Sequence, residues 1–165
     1  MKKVLLGLLI FGFTIQMQAQ TIELSEIELS TNYAYLNANN SDNTPIAVKR
    51  LINEVLTFDE GNTDVYIDDN GEFNVSFYIP EGRIIAAFNK EGEILRTFER
   101  YNNIRLPLEV LQMIATRFPN WAVVGDTYLV SFHSEKDVTK KLYKITLKNQ
   151  DKVLNIKTDE KGNFI

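Results

Sequence analysis

Twice along this chain a helical apolar repeat gives way to a strand repeat. In "TPIAVKRLINEVLTF", Thr44 to Phe58, the residues Val48, Leu51, Ile52, Val55 and Leu56 fall at i, i+3, i+4, i+7 and i+8. That spacing makes one stripe of an amphipathic helix, with Lys49, Arg50, Asn53 and Glu54 on the wet side. "LPLEVLQMIATRFPNW", Leu106 to Trp121, repeats the arrangement with Val110, Leu111, Ile114, Ala115 and Phe118. Pro45 and Pro107 open the two helices, where a missing N–H is tolerated. Thr44 is placed to cap the first helix, Glu109 sits in the positive first turn of the second, and Pro119 stops it.

After each helix the period falls to two. "DVYIDDNGEFNVSFYI", Asp64 to Ile79, has Asn70-Gly71 at its centre, a two-residue hairpin signal. Phe73, Val75, Phe77 and Ile79 share one face of its second strand; Asn74, Ser76 and Tyr78 share the other. "RIIAAF" and "ILRTFERY" follow as further strands, and the second half offers Ala122 to Gly125, "TYLVSF", "KKLYKITL" and "VLNIKT". Pro45 and Pro107 are 62 residues apart, the two "VSF" triplets 55, and the matching turns at Gly92 and Asp151 59. Matched order with unequal offsets reads as a duplication carrying loops of different length.

The expected fold class is therefore α+β: two tandem helix-plus-four-strand repeats forming one antiparallel sheet with helices packed on one face. A unit of about 60 residues hides little apolar area by itself. Joining two such sheets removes two exposed edges and lets the helices share one core. The domain plan is a signal peptide over 1–19, an N-terminal strand segment and loop over 20–43, a first repeat over 44–104 and a second over 105–165. Within the N-terminal segment, residues 21–36 are expected as edge strands, since Tyr33 and Tyr35 continue an alternating pattern. Asn37 to Thr44 is expected as a loop.

Met1-Lys2-Lys3, an apolar run from Val4 to Ile15 and the small Ala19 make the three parts of a secretory signal. The run is shorter than the about 20 residues a membrane span takes, so no membrane insertion is expected after cleavage. The expected location is exported, soluble, and periplasmic or extracellular. Without Lys2 and Lys3 the chain keeps 16 basic against 22 acidic side chains, a net charge of −6. That balance argues against a nucleic-acid partner. There is no cysteine, which excludes thiol catalysis and cysteine-ligated zinc and leaves stability to the core.

The signal peptide, "LPLEVLQMIATRFPNW", "TYLVSFH" and the closing "TDEKGNFI" resemble PepSY-like exported proteins of the Bacteroidetes. What that resemblance implies is a fold similar to the β-lactamase-inhibitor protein, built from tandem helix-plus-four-strand units, and a binding or inhibitory role in the cell envelope. The likeness is clearer from Tyr78 to Ile165 than from Thr21 to Asp64. Some relatives carry a nicotinate-nucleotide adenylyltransferase label. That chemistry needs a phosphate cradle and histidines, and the chain has only His133 and no Gly-rich strand-to-helix loop.

No other constellation carries catalysis. His133 reads as an exposed residue near a strand end, with only Glu135 nearby in sequence to orient it as a base. Asp64, Asp68, Asp69 and Glu72 crowd together, but a calcium loop with Gly71 at its sixth place would end at Phe77, which supplies no carboxylate. No metal and no cofactor are expected. Trp121 reads as packing over a helix end. Tyr66, Tyr78, Tyr101 and Tyr143 suit either recognition or cross-strand pairing. The expected function is a non-enzymatic binding module for an envelope protein or peptide, using Asn74, Ser76, Tyr78, Ser131 and His133 on an open sheet face. The alternatives are a hydrolase whose carboxylates assemble only in the fold, and a self-associating stress or scaffold protein.

Overall fold

The computed structural model describes residues 32–39, 41, 44–59, 67–136 and 138–165. The signal peptide, the expected strand over 21–31 and Asp64 to Tyr66 lie outside the described residues. Six strands form one antiparallel sheet in the order β1(Glu72–Ile79), β2(Gly82–Asn89), β3(Ile94–Asn102), β4(Ala122–His133), β5(Val138–Asn149) and β6(Lys152–Thr158). Among the described residues three α-helices, α1(Tyr33–Asn39), α2(Ile46–Leu56) and α3(Leu108–Arg117), accompany it. No helix among the described residues is long and apolar enough to cross a membrane.

The α+β architecture with one antiparallel sheet and helices on one side is what the alternation and the two stripes require. Every strand sends one set of side chains to the helical side. Phe73, Ile84, Phe88, Tyr101, Tyr128, Val130, Phe132, Tyr143, Ile145 and Ile156 join Val48, Leu51, Ile52, Val55, Val110 and Ile114 in a single buried cluster. Each such large apolar side chain contributes roughly 1.5–3 kcal/mol by leaving water. The two halves meet where β3 pairs with β4, from Arg96↔His133 to Asn102↔Thr127.

The strand count per half is three among the described residues, not four. Ala122 to Gly125 and "TYLVSF" are one strand, bulged between Val123 and Gly125. The extra residue of a bulge shifts the alternation, so a continuous strand looks broken in sequence. In the first half Ile67 and Asp68 precede β1 outside any strand. The order helix, β-β-β then recurs as α2–β1–β2–β3 and α3–β4–β5–β6.

The turn at Asn70-Gly71 also differs from the expected two-residue form. Asp68 N–H donates to Glu72 O and Gly71 N–H to Asp68 O, a three-residue loop with Gly71 at φ 79. Asp68 Oδ1 accepts the N–H groups of Asn70 and Glu72. Asn89 and Asp159 repeat the device two and four residues on. A side-chain oxygen two residues before its first donor is the Asx-turn arrangement. It makes a D/N-x-x-G signature visible three times in the sequence, ending at Gly71, Gly92 and Gly162.

Tyr33 and Tyr35 are helical rather than part of a strand, and so are Asn37 to Asn39, expected as loop. Tyr35 is buried, packs edge-on against Phe132 with ring centroids 5.3 Å apart, and fixes α1 to the sheet. Asn32 secures the start of the helix: its Oδ1 accepts Ile94 N–H, and its amide donates to Gly92 O.

Thr44 does not cap α2. Pro45 holds the cap position without a side-chain bond, and Thr44 Oγ1 donates instead to Asn39 O. In α3, Val110 and Ile114 are buried, but Leu111 and Ala115 face out. The closing turn explains the shift: a Cβ on Gly162 would stand 3.1 Å from Glu109 O and 3.2 Å from Met113 Cβ. That turn covers the Met113 flank, and Phe164 meets Phe118 with Arg117 lying 5.0 Å over its ring.

Candidate functional site

The side of the sheet away from the helices is built by the second parity of each strand. Asn74, Ser76 and Tyr78 are exposed on β1, and Ser131 and His133 are half-buried on β4. All five lie on the open face, as their alternation requires, but they form no single cluster. Two strands separate the groups, which puts them about 14 Å apart. Register strings them across the sheet in rows. One row runs Ser76↔Ile85↔Phe98↔Ser131↔Lys140, a second Tyr78↔Arg83↔Arg100↔Leu129↔Leu142, and a third Asn74↔Ala87↔Arg96↔His133↔Val138.

The centre of those rows is where the face is shaped. Arg83, Ile85, Phe98, Arg100, Leu142 and neighbours line a shallow depression of about 390 Å³. Phe98 is 60% exposed there. A second depression, about 520 Å³, continues towards the end of the sheet past Thr127, Lys144, Thr146, Asn155 and Lys157. Sequence alternation misses this centre for a physical reason. In "LRTFERY" the apolar Phe98 points outward while Thr97 and Glu99 point into the core, so a hydrophobic reading inverts the strand. In "RIIAAF" both parities are apolar. The usable signal is the row of cations that shares parity with Phe98.

His133 is half-buried rather than exposed, and its Nδ1 is enclosed with no hydrogen-bond partner among the described residues. Tyr101 and Tyr143 do not serve recognition: both are buried on the helical side. They stack with Tyr128 at centroid distances of 6.1 and 4.4 Å. Tyr78 stays exposed, Tyr66 lies outside the described residues, and Trp121 packs half-buried against the core.

Two carboxylates are less acidic than usual. Glu99 is buried beneath the sheet, with Oε1 accepting Tyr35 and Thr97 hydroxyls at 2.9 Å each and Oε2 accepting Tyr101 at 3.0 Å. Burial pushes its pKa up, against the pull of those hydroxyls and of Lys141. It is enclosed by its donors, and its carboxylate serves the core. Asp126 borders the larger depression, and burial also raises its pKa. Its Oδ1 accepts Ile104 N–H at 3.2 Å, and its backbone pairs with Asn103. It thus ties the loop before α3 to the bulge of β4. Asp126 and His133 lie seven residues apart along β4, about 23 Å, too far to act as an acid and base on one substrate.

No family model matches the chain, and no curated protein matches it either. Among solved structures it is similar to a DUF2874 family protein from Bacteroides uniformis, at 12% identity and a TM-score of 0.37, covering 73% of this chain and 86% of that one. A DUF2874 family protein from Bacteroides ovatus gives 15% identity and a TM-score of 0.36 over 76% and 86%. A BLIP-like protein from Bacteroides fragilis gives 18% identity and 0.33 over 70% and 82%.

Proposed function

We propose that the chain is an exported, PepSY-like binding module of the cell envelope, periplasmic or extracellular, that holds another protein or peptide on its open sheet face and catalyses nothing. The observation that carries this reading is the asymmetry of the sheet. One side is covered by helices and sealed, while the other presents Phe98 at 60% exposure among the half-buried Ile85, Leu129 and Leu142. A contiguous apolar centre with a polar rim, uncovered among the described residues, is the anatomy of an interaction surface. The separation of Asp126 from His133, and the enclosure of Glu99, support a non-catalytic role.

The test is affinity capture from native envelope extract by the parent and by Phe98→Asp, read by mass spectrometry with circular dichroism as the folding control. The parent should retain a partner that the folded variant loses. Equal capture by both would remove the face from the reading. Turnover of an ester, glycoside or peptide substrate, abolished by Asp126→Asn, would replace the binding role with a hydrolytic one.

A further inference from the structure

The full chain carries a formal charge of −4, yet its open face is cationic. Strand parity places Arg83, Arg96 and Arg100 there from β2 and β3, and Lys140, Lys144, Lys148 and Lys157 from β5 and β6. Among the carboxylates of the strands Glu72 alone has that parity, while Asp126 borders the second depression with its Oδ1 engaged by Ile104 N–H. Glu72 is taken by Arg96 at 2.7 Å. No other of these cations has an ion pair among the described residues.

Two of the pairings oppose like charges directly: Arg83↔Arg100 and Lys144↔Lys157. Such cross-strand pairs are destabilising. A fold gains nothing from setting them side by side on a solvated face, whereas a docked carboxylate between them would turn repulsion into a bridging contact. The two pairs flank the aliphatic part of the face: Leu129 and Leu142 continue the Arg83–Arg100 row across β4 and β5, and Lys144 and Lys157 stand in the next row, beyond Thr127.

We infer that the open face binds an acidic polypeptide segment whose carboxylates meet Arg83–Arg100 and Lys144–Lys157 while an apolar side chain between them packs on Leu129 and Leu142, in the depression that Phe98 borders. This rests on the binding role proposed above and names its partner's chemistry. The face exposes two rings, Phe98 and Tyr78, two strands apart and in different rows, rather than the adjacent aromatic side chains on which successive bases of single-stranded nucleic acid stack. The negative charge of the remaining surface also opposes a long polyanion while leaving a short acidic segment free to dock. Arginine, moreover, suits bidentate contact with carboxylates.

The experiment titrates ¹⁵N-labelled protein with four probes: a glutamate–leucine peptide, the same peptide with glutamine for glutamate, oligoglutamate, and oligothymidylate. The glutamate–leucine peptide should bind most tightly, shift amide signals of Phe98, Leu129 and Leu142, and weaken with added salt. Arg83→Glu with Arg100→Glu should weaken it at least tenfold, and Lys144→Glu with Lys157→Glu should do so independently, each variant keeping the parent's circular dichroism. Equal binding of the glutamine peptide at the same residues would overturn the charge matching while leaving the binding face in place. Tighter binding of oligothymidylate there would replace the peptide with nucleic acid. Absence of binding by all four probes, with Phe98-dependent capture of an envelope partner intact, would overturn this chemistry alone. Shifts confined to the helical side would remove the face itself.

Discussion

Gly82 opens β2 with no room for a side chain. A Cβ there would run into Arg100 O and stand 2.6 Å from the Tyr101 ring and 2.9 Å from its Cα. The backbone of β3 cannot retreat, because Tyr101 is locked between β2 and the Tyr128 stack. Gly82→Ala should therefore destabilise by about 1–3 kcal/mol, read as a lower urea midpoint; an unchanged midpoint would show that β3 yields. Glu99 makes a different prediction at the same scale. Burial holds its folded-state pKa above the ordinary glutamate value despite three hydroxyl donors. A raised carboxyl binds more proton folded than unfolded, so its share of stability is full in acid and is lost as pH rises through the raised value. Glu99→Gln should flatten the pH dependence of the urea midpoint between the ordinary glutamate range and the raised value. A variant curve parallel to the parent's across that window would assign the proton to another group. Neither residue announced itself in sequence. Gly82 reads as a turn glycine after Pro80-Glu81, and Glu99 as a solvated charge, because burial and close approach arise only when strands pair.

Elements were legible where one face decides them. The stripe of α2 and the alternation of β1 each name a dry side without help from elsewhere, and both dry sides are the buried ones. Elements that depend on a distant partner were not. In α1 the buried positions are Tyr35 and Asn39, one helical turn apart, but the pair Tyr33 and Tyr35 mimics a strand over that short window. What makes α1 a helix is its docking: Tyr35 reaches Glu99 across 64 residues of chain, and Asn39 closes the turn on Tyr35 O at 3.1 Å. Tyr35→Phe keeps the ring against Phe132 but strips one donor from a buried carboxylate, a loss of about 1.5–3 kcal/mol. Amide exchange should quicken throughout α1 while the protection of β4 and β5 falls only with global stability. Unchanged exchange in α1 would mean that Asn32 and the ring hold it without the hydroxyl. The outward turn of Leu111 and Ala115 in α3 has the same origin, since the flank covered by Gly162 belongs to the far end of the chain.

At the scale of the molecule, net charge concealed what topology revealed. A sum of −4 averages acidic turns with a cationic face, and only strand order places β2, β3, β5 and β6 so that their arginines and lysines share a side. The same topology decides how the chain unfolds. The recurring helix-and-three-strand order suggests two units, yet seven residue pairs join β3 to β4. The stack Tyr101–Tyr128–Tyr143 crosses that junction, and one buried cluster contains both α2 and α3. Each half alone would expose β3 or β4 as a bare edge and open that cluster to water. Unfolding should then be a single transition. Trp121 fluorescence, from the second half, and methyl signals of Val48 and Ile84, from the first, should share one urea midpoint. Tyr128→Ala should destabilise the fold by about 3–5 kcal/mol and lower both midpoints together, because its ring sits in the seam rather than in either half. A variant whose Trp121 signal melts first, with Val48 and Ile84 holding the parent's midpoint, would show two units that fold separately and a seam that merely joins them.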